Sequence, residues 1–424
     1  MAYRAPVEDI IFTLKHAAGF AAAQADGLYG DLTDDDVAAV LGEAGRFASE
    51  VLAPLNAAGD HHGTPFRDGV VTTPPGWKEA YRDWWAAGWN GVSGPPEWGG
   101  QGLPRAINAA CNEMWHSAAM AFGLGPMLTM AGVDALAAFG AEDLKRIYLA
   151  KLVSGEWMGT MELTEPQAGS DVGALRTRAE RAADGTYRIT GSKIFITYGE
   201  HDFTDNIIHF VLARIAGGPE GTKGLSLFVV PKFLLNPDGS LGVRNDLRAA
   251  RIEHKLGLHA SPTCHMVYGD NGNCVGYIIG EEHRGMQAMF TMMNEARLAV
   301  GLQGVGIAEA ATQQALAYAQ ERKQGRLFGP PPNPPPLAGE GREGADGMAE
   351  IAVFPGELPA NPDTVFAPDA APFRGLTAAG ADDADYRFVR FRPPPLETAG
   401  GGAPTLPHIR LDRALQFLIG DRLT

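Results

Sequence analysis

The chain has 424 residues, 45% of them apolar, and a formal net charge of -15. That length exceeds what one hydrophobic core usually organises, so a multi-domain protein is expected. The acidic balance disfavours nucleic acid or an anionic membrane as the main partner. Cys111, Cys264 and Cys274 are odd in number and lack C-x-x-C spacing, which indicates neither a disulfide framework nor a zinc site. They read as ordinary buried thiols. Met1 to Asp9 show no basic patch followed by an apolar run, so no signal peptide is expected and a cytoplasmic protein fits best.

Residues 1–157 read as a helical domain. After Asp34-Asp35-Asp36, suited to a helix N-terminus, Val37, Val40, Leu41, Phe47, Val51, Leu52 and Leu55 recur at three- and four-residue steps. Trp77, Tyr81, Trp84, Trp85 and Trp89 repeat the pattern with rings, and helical spacing assigns them to core packing rather than to a binding box. His61-His62 reads as a solvated pair in a strand or loop. Residues 118–140 are the most membrane-like stretch, but Asp134 interrupts them, and a buried helical pair is the better reading.

Between 158 and 280 the period changes to extended. Tyr187–Thr190, Lys193–Thr197, Ile207–Leu212 and Leu225–Val230 are short, rich in β-branched or aromatic residues, and bounded by Gly, Asp or Pro. No helical crossovers of adequate length separate them, so a barrel-like, antiparallel β-domain is expected rather than a parallel sheet. From 281 to 326 the helical period returns without a proline, and Met286, Met289, Phe290, Met293, Arg297, Val300, Gln303 and Gly304 are placed along one flank of a long helix. Residues 327–424 then change character. Pro330 to Pro336 are all proline except Asn333, and more than half of the chain's 30 prolines fall between 330 and 407. A largely disordered, Pro/Gly/Ala-rich tail is expected. The whole reads as a multi-domain α+β protein.

The P-loop, nucleophile-elbow, zincin and strand-linked dinucleotide motifs are all absent. One loop, Met161 to Gly173, has unusual content. Small residues at Ala168, Gly169 and Ser170 let backbone N–H groups approach an anion such as a pyrophosphate, and Thr164 offers a hydroxyl to a heterocycle. The same composition also suits an ordinary loop closing a strand.

Thr164-Glu165-Pro166-Gln167-Ala168-Gly169-Ser170-Asp171 resembles the signature of the acyl-CoA dehydrogenases, in which this loop holds FAD where helical and β-domains meet. Three further segments resemble family motifs in the same order: Gly191 to Thr197, His254 to Thr263, and Met292 to Arg297 followed by Glu321-Arg322-Lys323. The subgroup of long chains that includes 3-methylmercaptopropionyl-CoA dehydrogenases is the most similar. The resemblance implies a helical domain, a β-domain and a C-terminal helical domain that is truncated here. It implies that Met161, Leu163 and Thr164 hold the isoalloxazine ring, and that Gly169 and Ser170 lie near the pyrophosphate. Ser170 would also lie near the substrate. Phe195, standing where many members have Trp, and Thr197 would cover and bond the ring's other side. Asn294 would meet the pantetheine, Arg297 would sit beside the active site, and Arg322 would reach FAD in a neighbouring subunit of a homo-oligomer. The implied reaction is α,β-dehydrogenation of an acyl-CoA, with an electron-transfer flavoprotein as acceptor and a place in fatty acid metabolism.

One departure concerns the catalytic base. The family's usual late carboxylate loop has no counterpart after residue 326. The alternative place, immediately before the helix arginine, holds Ala296, with Glu295 one residue earlier and turned by about 100° on a helix. Glu295 is the remaining candidate. The tail reads as the product of a reading-frame change or an inserted repeat, or else as an unfamiliar interaction module. Two functional classes follow: a dehydrogenase, or a non-catalytic remnant that at most binds FAD or acyl-CoA.

Overall fold

In a computed structural model, the structure describes residues 3–322. The expected disorder of the tail lies outside the described residues. The N-terminal part is helical: α1 (Val7–His16), α2 (Phe20–Ala25), α3 (Asp34–Phe47), α4 (Ala53–His62), a small hairpin of β1 (Phe66–Arg67) and β2 (Val70–Val71), α5 (Trp77–Ala86), α6 (Arg105–Phe139) and α7 (Glu142–Ser154). A β-domain follows: β3 (Met158–Glu162), β4 (Arg178–Arg181), β5 (Tyr187–Thr197), β6 (Ile207–Ile215), β7 (Leu225–Pro231), β8 (Phe233–Leu235), β9 (Leu241–Arg244), β10 (Leu247–Ile252), β11 (Thr263–Tyr268) and β12 (Val275–Ile279). One helix, α8 (Gly285–Glu321), closes the described chain.

Local chemistry sets the helix ends. Thr33 caps α3 reciprocally: its hydroxyl accepts from Asp36 N–H at 3.1 Å while Asp36 accepts from Thr33 N–H at 2.9 Å. Asp34, Asp35 and Asp36 then complement the helix dipole. A π-helical turn over Ala48–Leu52 joins α3 to α4. His61 and His62 end α4 instead of lying in a strand or loop, where positive charge would favour the helix C-terminus. Trp77, Tyr81 and Trp84 are buried around α6, but Trp85 is 40% exposed, because it falls off the stripe that faces the core.

The membrane-like stretch lies in two helical segments that meet at a kink and together make up α6. α6 runs 35 residues and breaks once, at Ala119 (φ -155°, ψ 83°). It is the described helix whose length and composition would suit a membrane span, yet 67% of its most apolar window is buried in the protein.

The β-domain's main sheet has the order β10-β11-β5-β12-β7-β6-β3, with β4 pairing β5 and β6. Most ladders are antiparallel, as the missing helical crossovers predict. β3 and β4 nevertheless each pair β6 in parallel. The antiparallel expectation thus holds for most of the domain, and the two parallel pairings arise because, with β4 and β5 intervening, β6 returns beside β3 in the same direction without a helix between them. β3 is the seam of the molecule. Its Met161, with Leu163 just beyond it, packs on a core cluster shared by α6, α7, β6, β7 and α8, while the barrel interior forms a separate cluster.

α8 packs along α6, and its flanks differ from the sequence reading. Met289, Met292, Ala296, Leu302 and Gln303 are buried, whereas Phe290 (46% exposed) and Val300 (54%) face outward with Arg297 and Gly304. The proposed flank wraps too far around the helix for one surface to cover. At Gly285, the first residue of α8, a Cβ would lie 2.4 Å from the Ser226 backbone of β7, so this close approach requires glycine. At Gly132 of α6 an added Cβ would lie 2.2 Å from the Phe210 ring of β6. Gly132→Val should therefore overpack the seam, lowering stability by about 1–3 kcal/mol; thermal unfolding followed by circular dichroism should show a lowered midpoint, and an unchanged one would mean that the ring moves aside freely.

Candidate active site

The signature loop lacks a core of its own, since Pro166, Gln167, Gly169 and Ser170 are exposed. Its shape comes from one buried carboxylate. Glu165 accepts from Gln167 Nε2 (2.7 Å), Arg176 N–H (2.6 Å), Thr177 N–H (2.9 Å) and Lys193 Nζ (2.9 Å). Lys193, on β5, is fully buried and also donates to Leu163 O at 2.9 Å. Beside it, Ile194 N–H donates to Thr164 O at 2.9 Å, and Thr160 Oγ1 donates to Thr197 O at 2.7 Å. The 161–170 loop and the 193–197 end of β5, separated by more than 20 residues, thus form one surface.

That surface carries a strained aromatic residue. Between Cys264 and Met266 the β5–β11 register shifts, so that two β5 residues, Ile194 and Phe195, oppose His265 alone. Phe195 sits at φ +62°, unfavourable for a bulky side chain, and holds its ring 59% exposed. Tyr198 follows at φ +55°, fixed by a 2.7 Å hydrogen bond from its hydroxyl to Ala121 O. Thr164 and Thr197 are partly exposed nearby, and Gly169 and Ser170 lie open on the same loop. An exposed ring, two threonines and a small-residue loop suit a flat heterocycle with an anionic tail.

The residues placed on α8 divide. Met286 and Met293 join the cluster on which Met161 and Leu163 pack, so the first turns of α8 border the loop's support. Asn294 and Arg297 lie on the exposed side, where Arg297 donates to Asn294 Oδ1 at 3.1 Å and its guanidinium lies 5.7 Å from the Phe290 ring. Arg322 ends the helix, exposed, stacked on Tyr318 and hydrogen-bonded to its hydroxyl. Glu295 faces α6 instead. It is ion-paired with Arg105, which also holds Asp134 at 2.9 Å, and it lines a cavity of about 50 Å³ with Trp84, Trp89, Met127 and Met130. No residue of the 161–170 loop or of the 193–197 strand lines that cavity. Among the described residues no cluster of His, Cys, Asp or Glu could hold a metal ion, and the three cysteines are buried and unpaired.

Residues 34–156 match the model of the acyl-CoA dehydrogenase N-terminal domain, 160–271 that of its middle domain, and 283–330 that of its C-terminal domain. The chain belongs to the acyl-CoA dehydrogenase family. It is 49% identical over 326 residues to 3-methylmercaptopropionyl-CoA dehydrogenase of Ruegeria pomeroyi, covering 77% of this chain and 55% of that one. Butyryl-CoA dehydrogenase of Megasphaera elsdenii superposes with a TM-score of 0.57 at 28% identity, over 71% of this chain and 72% of that one. An acyl-CoA dehydrogenase of Bacillus anthracis solved with FAD gives 0.57 at 25% identity, over 69% and 46%. The chain spans about half the length of the curated relatives it matches. Residues 308–423 match a different family, YcjX-like; the tail thus resembles something other than the remainder of a dehydrogenase.

Sequence reasoning named the loop and the strand but not what binds them, the Lys193–Glu165 pair. A lysine directly before the short apolar run Ile194-Phe195-Ile196 was the available signal. Burial alone would push the Glu165 carboxyl up, but Lys193 and the Arg176 and Thr177 N–H donors outweigh it and hold it at about 2, below the ordinary 4.5. A carboxyl depressed in the folded state contributes stability that is fully present above its unfolded value and is lost as pH falls through its folded value. Lys193→Met should cost about 3–5 kcal/mol near pH 7, because it strands a buried carboxylate. Urea unfolding of both proteins should show that gap narrowing as pH falls from about 4.5 toward 2; a gap independent of pH would show that the pair contributes only packing.

Proposed function

We propose that this chain is a flavin-dependent acyl-CoA dehydrogenase, holding FAD on the surface made by Met161–Ser170 and Phe195–Thr197 and oxidising the Cα–Cβ bond of an acyl-CoA. The carrying observation is the joining of these two segments by Lys193, Glu165 and the Ile194–Thr164 hydrogen bond, with the Phe195 ring presented outward. FAD, when bound, supplies an oxidant strong enough to take hydrogens from an unactivated carbon pair, which nicotinamide is not. The chain supplies the rest. Thr164 and Thr197 offer hydroxyls to the heterocycle, Met161 and Leu163 back it, and Phe195 covers a face. Gly169 and Ser170 allow backbone donors to approach the pyrophosphate. Asn294, hydrogen-bonded to Arg297 one helical turn away, would meet the pantetheine, with Arg297 beside the active site.

Glu295 is proposed as the base that removes the α-proton, and to act it must leave Arg105. That ion pair also favours a second reading, ligand binding without turnover. Electron-transfer flavoprotein as acceptor, a homo-oligomeric assembly in which Arg322 meets a neighbour's FAD, a cytoplasmic setting and a role in fatty acid metabolism belong to the same proposal.

Anaerobic mixing of flavin-loaded protein with short- and medium-chain acyl-CoAs, followed at the flavin absorbance, separates the two readings. Turnover predicts rapid bleaching that Glu295→Gln slows by roughly 10²- to 10⁴-fold. Bound flavin that no acyl-CoA bleaches supports binding alone, and equal rates in both proteins would exclude Glu295 as the base.

A further inference from the structure

Side chains alternate across a strand, so with Met161 and Leu163 turned to the shared helical cluster, Glu162 between them enters the barrel, where it is fully buried. His209 Nδ1 meets its carboxylate at 2.6 Å, and the Tyr268 hydroxyl donates to its other oxygen. His209 and Tyr268 are themselves almost wholly buried. A carboxylate only accepts, so His209 carries its proton on Nδ1. Its Nε2 is buried without a partner. Both oxygens of the Glu162 carboxylate thus take hydrogen bonds from its two neighbours, which fixes the group in place. Lys193, a buried cation that Glu162 also attracts electrostatically, is hydrogen-bonded to Glu165 and Leu163 O rather than to Glu162. On the far side, Lys232 is held by Glu200. Burial and the Glu162 charge push the Tyr268 hydroxyl far up, so it stays a donor.

We propose that Glu162 is a positioning residue for the flavin: a buried negative charge, fixed by His209 and Tyr268 behind the flavin-facing strand, that makes the bound flavin harder to reduce. This rests on the flavin reading above. Glu162 lies on the face of the strand opposite Met161 and Leu163, the side chains that would back the ring, so only the strand itself would separate its charge from the flavin. The intervening medium is protein, so screening is weak. Reduction adds electron density to the flavin, and a nearby negative charge opposes it.

Spectroelectrochemical titration of the flavin-loaded chain tests this in wild type, Glu162→Gln and Tyr268→Phe. Glu162→Gln keeps the side chain's shape and its bond to His209 but removes the charge, so the midpoint potential should move to more positive values. Tyr268→Phe removes a donor and leaves the charge less neutralised, so the potential should move the opposite way. Loosened packing would not produce opposite shifts at equal flavin content. Unchanged potentials in flavin-bound variants would overturn the proposal. If Glu162→Gln does not fold, Tyr268→Phe decides alone, and an unchanged or more positive potential overturns it. A wild-type chain that takes up no flavin contradicts the flavin reading itself and this inference with it.

Discussion

The candidate site depends on a single buried ion pair. Glu165 lies in a loop whose tip at Pro166, Gln167, Gly169 and Ser170 is exposed, and Lys193 lies in a strand with no solvent to satisfy its ammonium. Each makes the other tolerable. A buried pair adds little over well-packed apolar residues, but it fails badly when broken, so it specifies one arrangement more than it stabilises it. Here the arrangement is the docking of loop on strand, with every remaining acceptor of Glu165 filled by a neighbouring N–H.

Once docked, the surface stores strain. The β5 bulge sets Phe195 in a left-handed conformation, and the Tyr198 anchor to α6 keeps the strand end from relaxing. This ties the β-domain to the helical layer at the point where the exposed ring is held. α8 completes the support from below through Met286, Met289, Met292 and Met293, while Phe290, Val300, Ile307, Leu316 and Tyr318 stand about half exposed on its outer side.

Much of this was legible in the sequence. The change from a period of three to four residues to short β-branched runs, and back again, marks the layers, because burial on a helix and on a sheet imposes different spacings. The loop and strand of the site were legible as motifs. Pairing partners were not: nothing local in Met158–Glu162 says that β3 lies parallel to β6, or that a register slip will isolate Phe195. The same holds for charge. Lys193, Glu162 and His209 look like surface residues until the barrel closes around them. Along α8 the composition is apolar or small on several sides, so periodicity alone could not separate the buried flank from the open one.

Fluorescence titration of the purified chain with FAD bears most directly on the account, performed on wild type and on Phe195→Ala. Saturable binding of one FAD per chain is predicted, weakened by up to roughly tenfold when the ring is removed, as expected for a stacked aromatic contact. Absence of saturable binding to wild type, or equal affinity in the variant, would contradict the assignment of this surface to the flavin.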